Sequence, residues 1–446
     1  MTIFALSSGQ GRAGVSVIRV SGPETKQAIL SLTNGKNIPG PRRAALRWFY
    51  DPDKNEKLDQ GLLLWFPSPD SFTGEDVAEF HIHGGYAVVT GFLDALSRLP
   101  NLRSAEPGEF SRRAFDNGKM DLTSVEGLVD LINSETESQR RQALRQMDGK
   151  LADIYEGWRQ EIITAMAYLE ADIDFSEEEI PEDVTQRVRP IIEKLFSEIR
   201  SHLEDSNRGE RLRDGLQVVI LGSPNAGKSS LLNYLSKRET AIVSDIAGTT
   251  RDLLEVHLDI GGFPVTVVDT AGLRNSDDTV EKEGIRRAES RAENADFKIV
   301  LIDRSSDAPL QRHLMKHIDQ NTMVLWNKCD LVDRDADVDK NLDSLGEWIV
   351  SVKTEAGIDG FMEAFRGEVE KRMELTAAPS LTRTRHRANL QSSIRHLDRF
   401  LSSGDLELEL LSEDLRMAAR DLGRITGFVD VEEILEKIFK EFCVGK

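Results

Sequence analysis

Residues Gly222 to Ser229 read Gly-Ser-Pro-Asn-Ala-Gly-Lys-Ser: two glycines frame four residues, and Lys and Ser follow. An apolar run, Leu216 to Leu221, precedes the segment and predicts a buried strand. Ser230 to Leu235 follows it and predicts a helix. Strand, glycine loop and helix in that order make a phosphate loop. Glycine lets the backbone curl until its N–H groups converge on phosphate oxygens. Asn225, Ala226, Gly227, Lys228, Ser229 and Ser230 are the predicted cradle. Lys228 is expected to reach the β- and γ-phosphates as a catalytic cation, and the Ser229 hydroxyl to ligate Mg²⁺.

Four more motifs follow in an informative order. Ser244, Asp245, Ile246, Ala247, Gly248, Thr249 and Thr250 lie where a switch loop would close, and Thr250 is the candidate second Mg²⁺ ligand. Pro264–Val268 predicts a strand ending in Asp269-Thr270-Ala271-Gly272. An Asp there holds Mg²⁺ through water, and the Gly272 N–H meets the γ-phosphate. Phe297–Asp303 and Thr322–Trp326 predict further buried strands, the second running into Asn327-Lys328-Cys329-Asp330. A carboxylate at Asp330 accepts two hydrogen bonds from the N1 and N2 groups of guanine. Adenine lacks that paired donor edge and would leave the carboxylate unpaired. Ser351-Val352-Lys353 is expected to close over the base. Five motifs in this order specify a Ras-like α/β domain that takes GTP. Leu273 stands where Ras-like proteins carry a water-orienting Gln, so hydrolysis needs another device. Glu281 is the candidate, acting through a bridging water; it also reads as an ordinary acid near a helix start.

The flanks carry different patterns. Thr2–Ser7, Val15–Val20 and Gly61–Phe66 predict short strands. In Asp76–His83, Ala78, Phe80 and Ile82 share one face and Glu79, His81 and His83 the other. Those three suit either a metal or, better, a hydrogen-bonded strand face, because no fourth ligand is evident. Tyr86 to Leu99 predicts a helix. Leu144, Met147, Leu151, Ile154, Trp158, Ile162, Ala165 and Leu169 predict one long amphipathic helix, and Pro190 to Leu203 a second. Arg208 to Gly215 reads as a charged linker. Helical sequence resumes after about Lys371. The nucleotide domain therefore looks inserted: 1–117 a mixed α/β domain, 118–210 a helical part, 211–371 the nucleotide domain, and 372–446 the second helical part.

Composition excludes some classes. Two cysteines, Cys329 and Cys443, rule out a disulfide framework and suit a reducing, cytoplasmic setting. No secretion signal and no bilayer-length apolar run is evident, so no membrane partner is expected. A net charge of −20 argues against nucleic-acid binding through general basicity.

These motifs, with the stretch ending at Arg19, Ser71-Phe72-Thr73-Gly74-Glu75-Asp76, and the end Phe442-Cys443-Val444-Gly445-Lys446, resemble the MnmE (TrmE) family of tRNA-modification GTPases over essentially the whole chain. Val444 stands where the family usually has Ile, and Val352 where Ala is commoner. The resemblance implies a multidomain chain. An N-terminal α/β tetrahydrofolate-binding domain dimerises, and a discontinuous α-helical domain carries the inserted G domain. It implies Arg19, Glu79, Lys119 and Lys446 as ligands of a 5-formyl-tetrahydrofolate-type one-carbon donor. It implies a homodimer joining the flavoprotein MnmG in a heterotetramer. The pair would act on the wobble uridine of certain tRNAs, gripped largely through the partner. It also implies a K⁺ site from the Asn225 side chain, the Ser244 and Ile246 carbonyls and the Thr249 side chain. An Era-like ribosome-assembly GTPase shares the G-domain motifs but would add a basic RNA-binding domain. A lipid-tethered switch is disfavoured by Gly445 and Lys446, poor choices in a prenylation box.

Overall fold

The computed structural model describes residues 1–174, 184–204, 206–242, 254–269, 292–293, 295–306, 314–332, 342–373, 381–402, 408–429, 435, 438–439, 442 and 444–445. They cluster into two units. One comprises Met1–Val129, Arg145–Ile192 and Arg395–Lys446; the other comprises Asp130–Leu144 and Glu193–Ile394.

The first unit begins with a sheet of β1 (Thr2–Leu6), β2 (Ala13–Ser21), β3 (Ala45–Tyr50), β4 (Lys57–Phe66), β5 (Val77–Gly84) and β6 (Leu102–Ser104). Their order is β3-β4-β5-β2-β1-β6, antiparallel throughout except for β1 with β6. Side chains alternate across the pleat. Ile18, Val20, Ala78, Phe80 and Ile82 line one core, with Ile29 of α1 (Thr25–Leu32) and Phe92 of α2 (Tyr86–Ser97). The rings of Phe49, Phe80 and Phe92 meet there with centroids 5.2 to 5.5 Å apart, edge-on or tilted, contacts that add to simple area burial. The other face at β1 holds Ile3 and Ala5, which pack with Phe110 of α3 (Glu109–Asp116). The sequence reading found neither β3 nor α1. β3 is an edge strand with Leu46 60% exposed, so its alternation is blurred, and α1 has only eight residues.

Helices follow: α4 (Leu122–Ile132), α5 (Glu137–Met147), α6 (Lys150–Asp174) and α7 (Val184–Glu204). The run from Leu144 to Leu169 is therefore two helices, not one. Gly149 sits at φ +80°, a left-handed conformation that ends a helix, and Leu144 and Met147 belong to the earlier one. α6 packs along α12 (Leu408–Thr426). Leu151, Tyr155, Trp158, Ile162, Ala165 and Leu169 are buried on α6, and Leu411, Leu415, Ala418, Leu422 and Ile425 on α12. Both sets step by four and three residues, the seam of a coiled-coil-like pair. α7 begins earlier than the sequence reading had it and takes Pro190 inside. The chain end returns to the N-terminal sheet. Val444 bridges Pro107, and the Ser7 hydroxyl donates to the Gly445 carbonyl at 2.8 Å.

In the second unit, α8 (Ser206–Asp214) occupies the segment read as a linker. The sequence reading saw charge; the fold buries Leu212, 1% exposed, in the core of this unit and pairs Arg211 with Asp296 at 2.5 Å. The sheet contains β7 (Leu216–Gly222), β8 (Thr240–Ile242), β9 (Leu254–Ile260), β10 (Phe263–Asp269), β11 (Phe297–Asp303), β12 (Thr322–Asn327) and β13 (Gly346–Ile349). Its order is β13-β12-β11-β7-β10-β9-β8. The five strands from β13 to β10 run parallel; β9 is antiparallel to β10, and β8 to β9. Buried on both faces, the parallel strands read as continuous apolar runs. α9 (Lys228–Arg238) and α10 (Ile358–Met373) cover one face with Leu231, Leu235, Phe361 and Phe365. Val219, Leu221, Val300, Ile302 and Val324 line the other. A last helix, α11 (Thr384–Ser402), leads out of the unit. The strand order reverses at β7, so the crevice lies beyond its carboxyl end.

Candidate functional site

β7 delivers the chain into that crevice at Gly222, where an added Cβ would meet the Leu301 carbonyl at 2.8 Å. Asn225 and Gly227 take φ of +65° and +105°, and the Ala226 N–H bonds the Ser223 carbonyl at 3.1 Å. These left-handed residues curl the loop onto the start of α9, which no side chain caps. An uncapped, loop-fed helix start is a ready anion site. Lys228 is 6% exposed, and its ammonium bonds the Gly222 and Ser223 carbonyls at 2.7 and 2.9 Å. Asn225, Ser229 and Ser230 face solvent.

Asn327 ends β12 and is 2% exposed. Its Nδ2 donates to the Ala226 carbonyl at 2.7 Å, and its Oδ1 accepts from the Val352 N–H at 3.0 Å. One side chain thus ties the phosphate loop to the segment expected to cover the base. Ser351 is fully buried; its N–H bonds the Ala356 carbonyl, and its hydroxyl accepts from the Thr354 N–H at 3.2 Å. Lys328 stands at φ +65°. Asp330 lies exposed in a one-turn 3₁₀ helix, Cys329–Leu331, directly after β12. The expected cradle and base-reading residues therefore lie at the carboxyl ends of the parallel strands β7, β12 and β13, with β11 between β7 and β12.

Asp269 ends β10 opposite Ile220 of β7, beside the loop; its side chain lies outside the described residues. So do Ser244, Asp245, Ile246, Ala247, Gly248, Thr249, Thr250, Thr270, Ala271, Gly272, Glu281, Cys443 and Lys446. The sequence reading missed Asp303. It is 7% exposed at the end of β11 and bonds the Lys328 ammonium at 2.6 Å. Burial pushes its carboxyl up, but hydrogen bonds from Lys328 and Ser305 together hold it below the usual carboxylate range. The available signal was a carboxylate closing a strand that is apolar from Ile299 to Ile302.

In the first unit, Arg19 lies on the α3 side of the sheet. Its guanidinium carbon is 5.0 Å from the Phe72 ring centroid and 5.7 Å from that of Phe110. Its Nε and Nη2 bond Glu79 Oε1 at 3.1 and 2.9 Å. His81 Nε2 is 3.5 Å from Glu79 Oε2, whereas His83 Nδ1 turns to Asp59 at 2.8 Å. On the shared strand face Glu79 thus faces both Arg19 and His81, while His83 turns away to Asp59. Among the described residues no cluster of His, Cys, Asp and Glu is arranged to hold a metal. Lys119 is exposed, close to Gly74 in the loop that supplies Phe72. Gly445 sits at φ +102°, where an added Cβ would meet the Leu6 carbonyl at 2.0 Å.

The sheet order, the loop at its switch point and the Asn327 tie define a P-loop GTPase. Two family descriptions match the chain: "GTP-binding protein TrmE N-terminus" over residues 2–119 and "MnmE helical domain" over residues 122–443. The tRNA modification GTPase MnmE of Parvibaculum lavamentivorans is 51% identical over 448 residues, covering 100% of both chains. The Danio rerio protein named mitochondrial 5-taurinomethyluridine-[tRNA] synthase subunit GTPB3 is 49% identical, covering 100% of this chain and 93% of that one. The G domain of the T. maritima FeoB iron transporter covers 34% of this chain and 98% of its own at 22% identity, with a TM-score of 0.27. The chain belongs to the MnmE (TrmE) family of tRNA-modification GTPases. Among the described residues no helix is long and apolar enough to cross a membrane.

Proposed function

We propose that this chain is a potassium-activated GTPase that works with the flavoprotein MnmG on C5 of the wobble uridine of certain tRNAs. There the pair installs an aminomethyl or carboxymethylaminomethyl group from a formyl-tetrahydrofolate-type donor. The observation that carries the nucleotide assignment is the pair of hydrogen bonds made by the Asn327 side chain, one to the Ala226 carbonyl and one from the Val352 N–H, which ties the phosphate loop to the segment that would close over the base. We divide the chain into 1–117 for folate and dimerisation, 118–210 and 372–446 for the helical domain, and 211–371 for the G domain. The working assembly is a cytoplasmic homodimer joined to MnmG as a heterotetramer. A net charge of −20 supports leaving most of the tRNA grip to that partner.

Ser229, Thr250 and Asp269 serve Mg²⁺, which supplies charge neutralisation at the phosphates. The folate assignment rests on Arg19, Glu79, Lys119 and Lys446. Arg19 holds Glu79 through Oε1, and Oε2, 3.5 Å from His81 Nε2, keeps acceptor capacity, so the carboxylate supports the pairing with a pterin's donor edge. Gly445 against Leu6 brings the chain end to the strand whose Ala5 pairs with Arg19, which supports a role for Lys446 there. Glu79→Ala is expected to lose formyl-tetrahydrofolate binding by calorimetry, and wobble-uridine modification in a strain lacking the native protein, while GTP hydrolysis continues. Undiminished folate binding overturns the folate assignment and leaves the GTPase assignment standing.

Asn225, Ser244, Ile246 and Thr249 are assigned to K⁺, and Glu281 to orienting the attacking water in place of the missing Gln. One single-turnover experiment in matched potassium and sodium buffers reads both. Wild-type hydrolysis runs about tenfold or more faster in potassium, because a cation beside the β–γ bridge counters charge developing there. Asn225→Ala removes the difference, and Glu281→Ala is slow in both salts. Equal wild-type rates refute the cation, and a wild-type rate in Glu281→Ala refutes the water role.

A further inference from the structure

β11 is buried over its whole length, yet its last residue is a carboxylate. A buried carboxylate needs partners, and Asp303 has them on both of its oxygens. Oδ1 accepts from the Ser305 N–H at 2.9 Å and the Ser305 hydroxyl at 2.6 Å. Oδ2 accepts from the Lys328 ammonium at 2.6 Å. The grip of Ser305 on one oxygen fixes the carboxylate plane and so aims the other.

Lys328 sits in the segment that reads the base. Its left-handed backbone is uncommon for a side-chain-bearing residue. It is held between the Asn327 ties and the Cys329 N–H, which bonds the Val350 carbonyl at 3.2 Å. The backbone thus fixes where the lysine stem starts, and Asp303 fixes where it ends. A lysine stem left free loses rotamer freedom when a ligand immobilises it, and that loss weakens binding. We propose that Asp303 is a positioning residue of the guanine-nucleotide site. It acts through Lys328, whose stem it holds extended as a preformed wall of the base slot. Asp303 itself does not touch the nucleotide.

The test is the affinity of the full-length protein for a fluorescent GDP, together with steady-state GTP hydrolysis. Asp303→Asn keeps the acceptor that Ser305 uses but turns an amide toward the Lys328 ammonium. It is expected to weaken GDP by about tenfold, with the loss falling on KM rather than kcat. Lys328→Met keeps a stem of similar length without the charge and should lose GDP affinity by a similar factor. In that background Asp303→Asn should change affinity by less than about twofold, since the coupled partner is already gone. Unchanged GDP affinity in Asp303→Asn overturns the proposal. A loss of the same size in the Lys328→Met background also overturns it, because the carboxylate would then act on the fold and not through Lys328. Should Asp303→Asn fail to fold, Lys328→Met alone decides, and undiminished GDP affinity there refutes the role.

Discussion

Asp330→Asn is expected to turn this chain from guanine to xanthine nucleotides. On the proposed assignment the wild-type carboxylate accepts from the N1 and N2 donors of guanine, and each charge-assisted bond contributes about 1.5–3 kcal/mol. Losing that pairing weakens GTP by about 10² to 10⁴. Xanthine carries a carbonyl where guanine has its amino group, which suits the amide of Asn. The gain in xanthosine triphosphate should therefore mirror the loss in GTP. Asp330 is exposed in the turn after β12, so the substitution leaves the core alone. Competition binding with both nucleotides checks the switch, and an unchanged preference would remove Asp330 from base recognition.

Asn327→Ala should have a comparable effect for a different reason. It orphans the Ala226 carbonyl and the Val352 N–H together. Each unsatisfied buried group costs about 1–3 kcal/mol, so the pair costs about 2–6 kcal/mol. The loss is shared between folding stability and the order of the loop. GTP affinity should fall at least about a hundredfold, with a lowered melting temperature even without nucleotide. Asn327→Asp separates the two ties: it keeps an acceptor for Val352 but sets a carboxylate against the Ala226 carbonyl. A nucleotide-free melting temperature unmoved in Asn327→Ala would show that the bridge is not structural, and unmoved GTP affinity would remove it from the receptor.

Much of the G domain was legible before any coordinates. Gly222 to Ser229, Asn327 to Asp330 and the strands that end in them are contiguous, and their chemistry travels with their spacing. The N-terminal strands β1, β2 and β4 were legible as short apolar runs between turn residues and β5 by its alternation, whose shared face of Ala78, Phe80 and Ile82 is buried. The failures have physical causes. Arg208 to Gly215 is charged at five of its eight positions, yet α8 is seated by the buried Leu212 and by the pairing of Arg211 with Asp296. Gly149 interrupts a helical period that the apolar residues on either side continue, so periodicity alone could not detect the break.

The sequence by itself determined the nucleotide class and the α/β P-loop architecture. Both rest on short motifs in which neighbours in the chain are neighbours in the site. Only the tertiary structure decided which residues make those motifs rigid. Asn327 reaches Ala226 across 101 positions, and Arg19 meets Glu79 across 60. Lys328 meets Asp303 across 25, and the Ser7 hydroxyl meets Gly445 across 438. Such pairs leave no periodicity to read. A hydrogen bond is specific only within about 3.2 Å, and strand order and register set that distance.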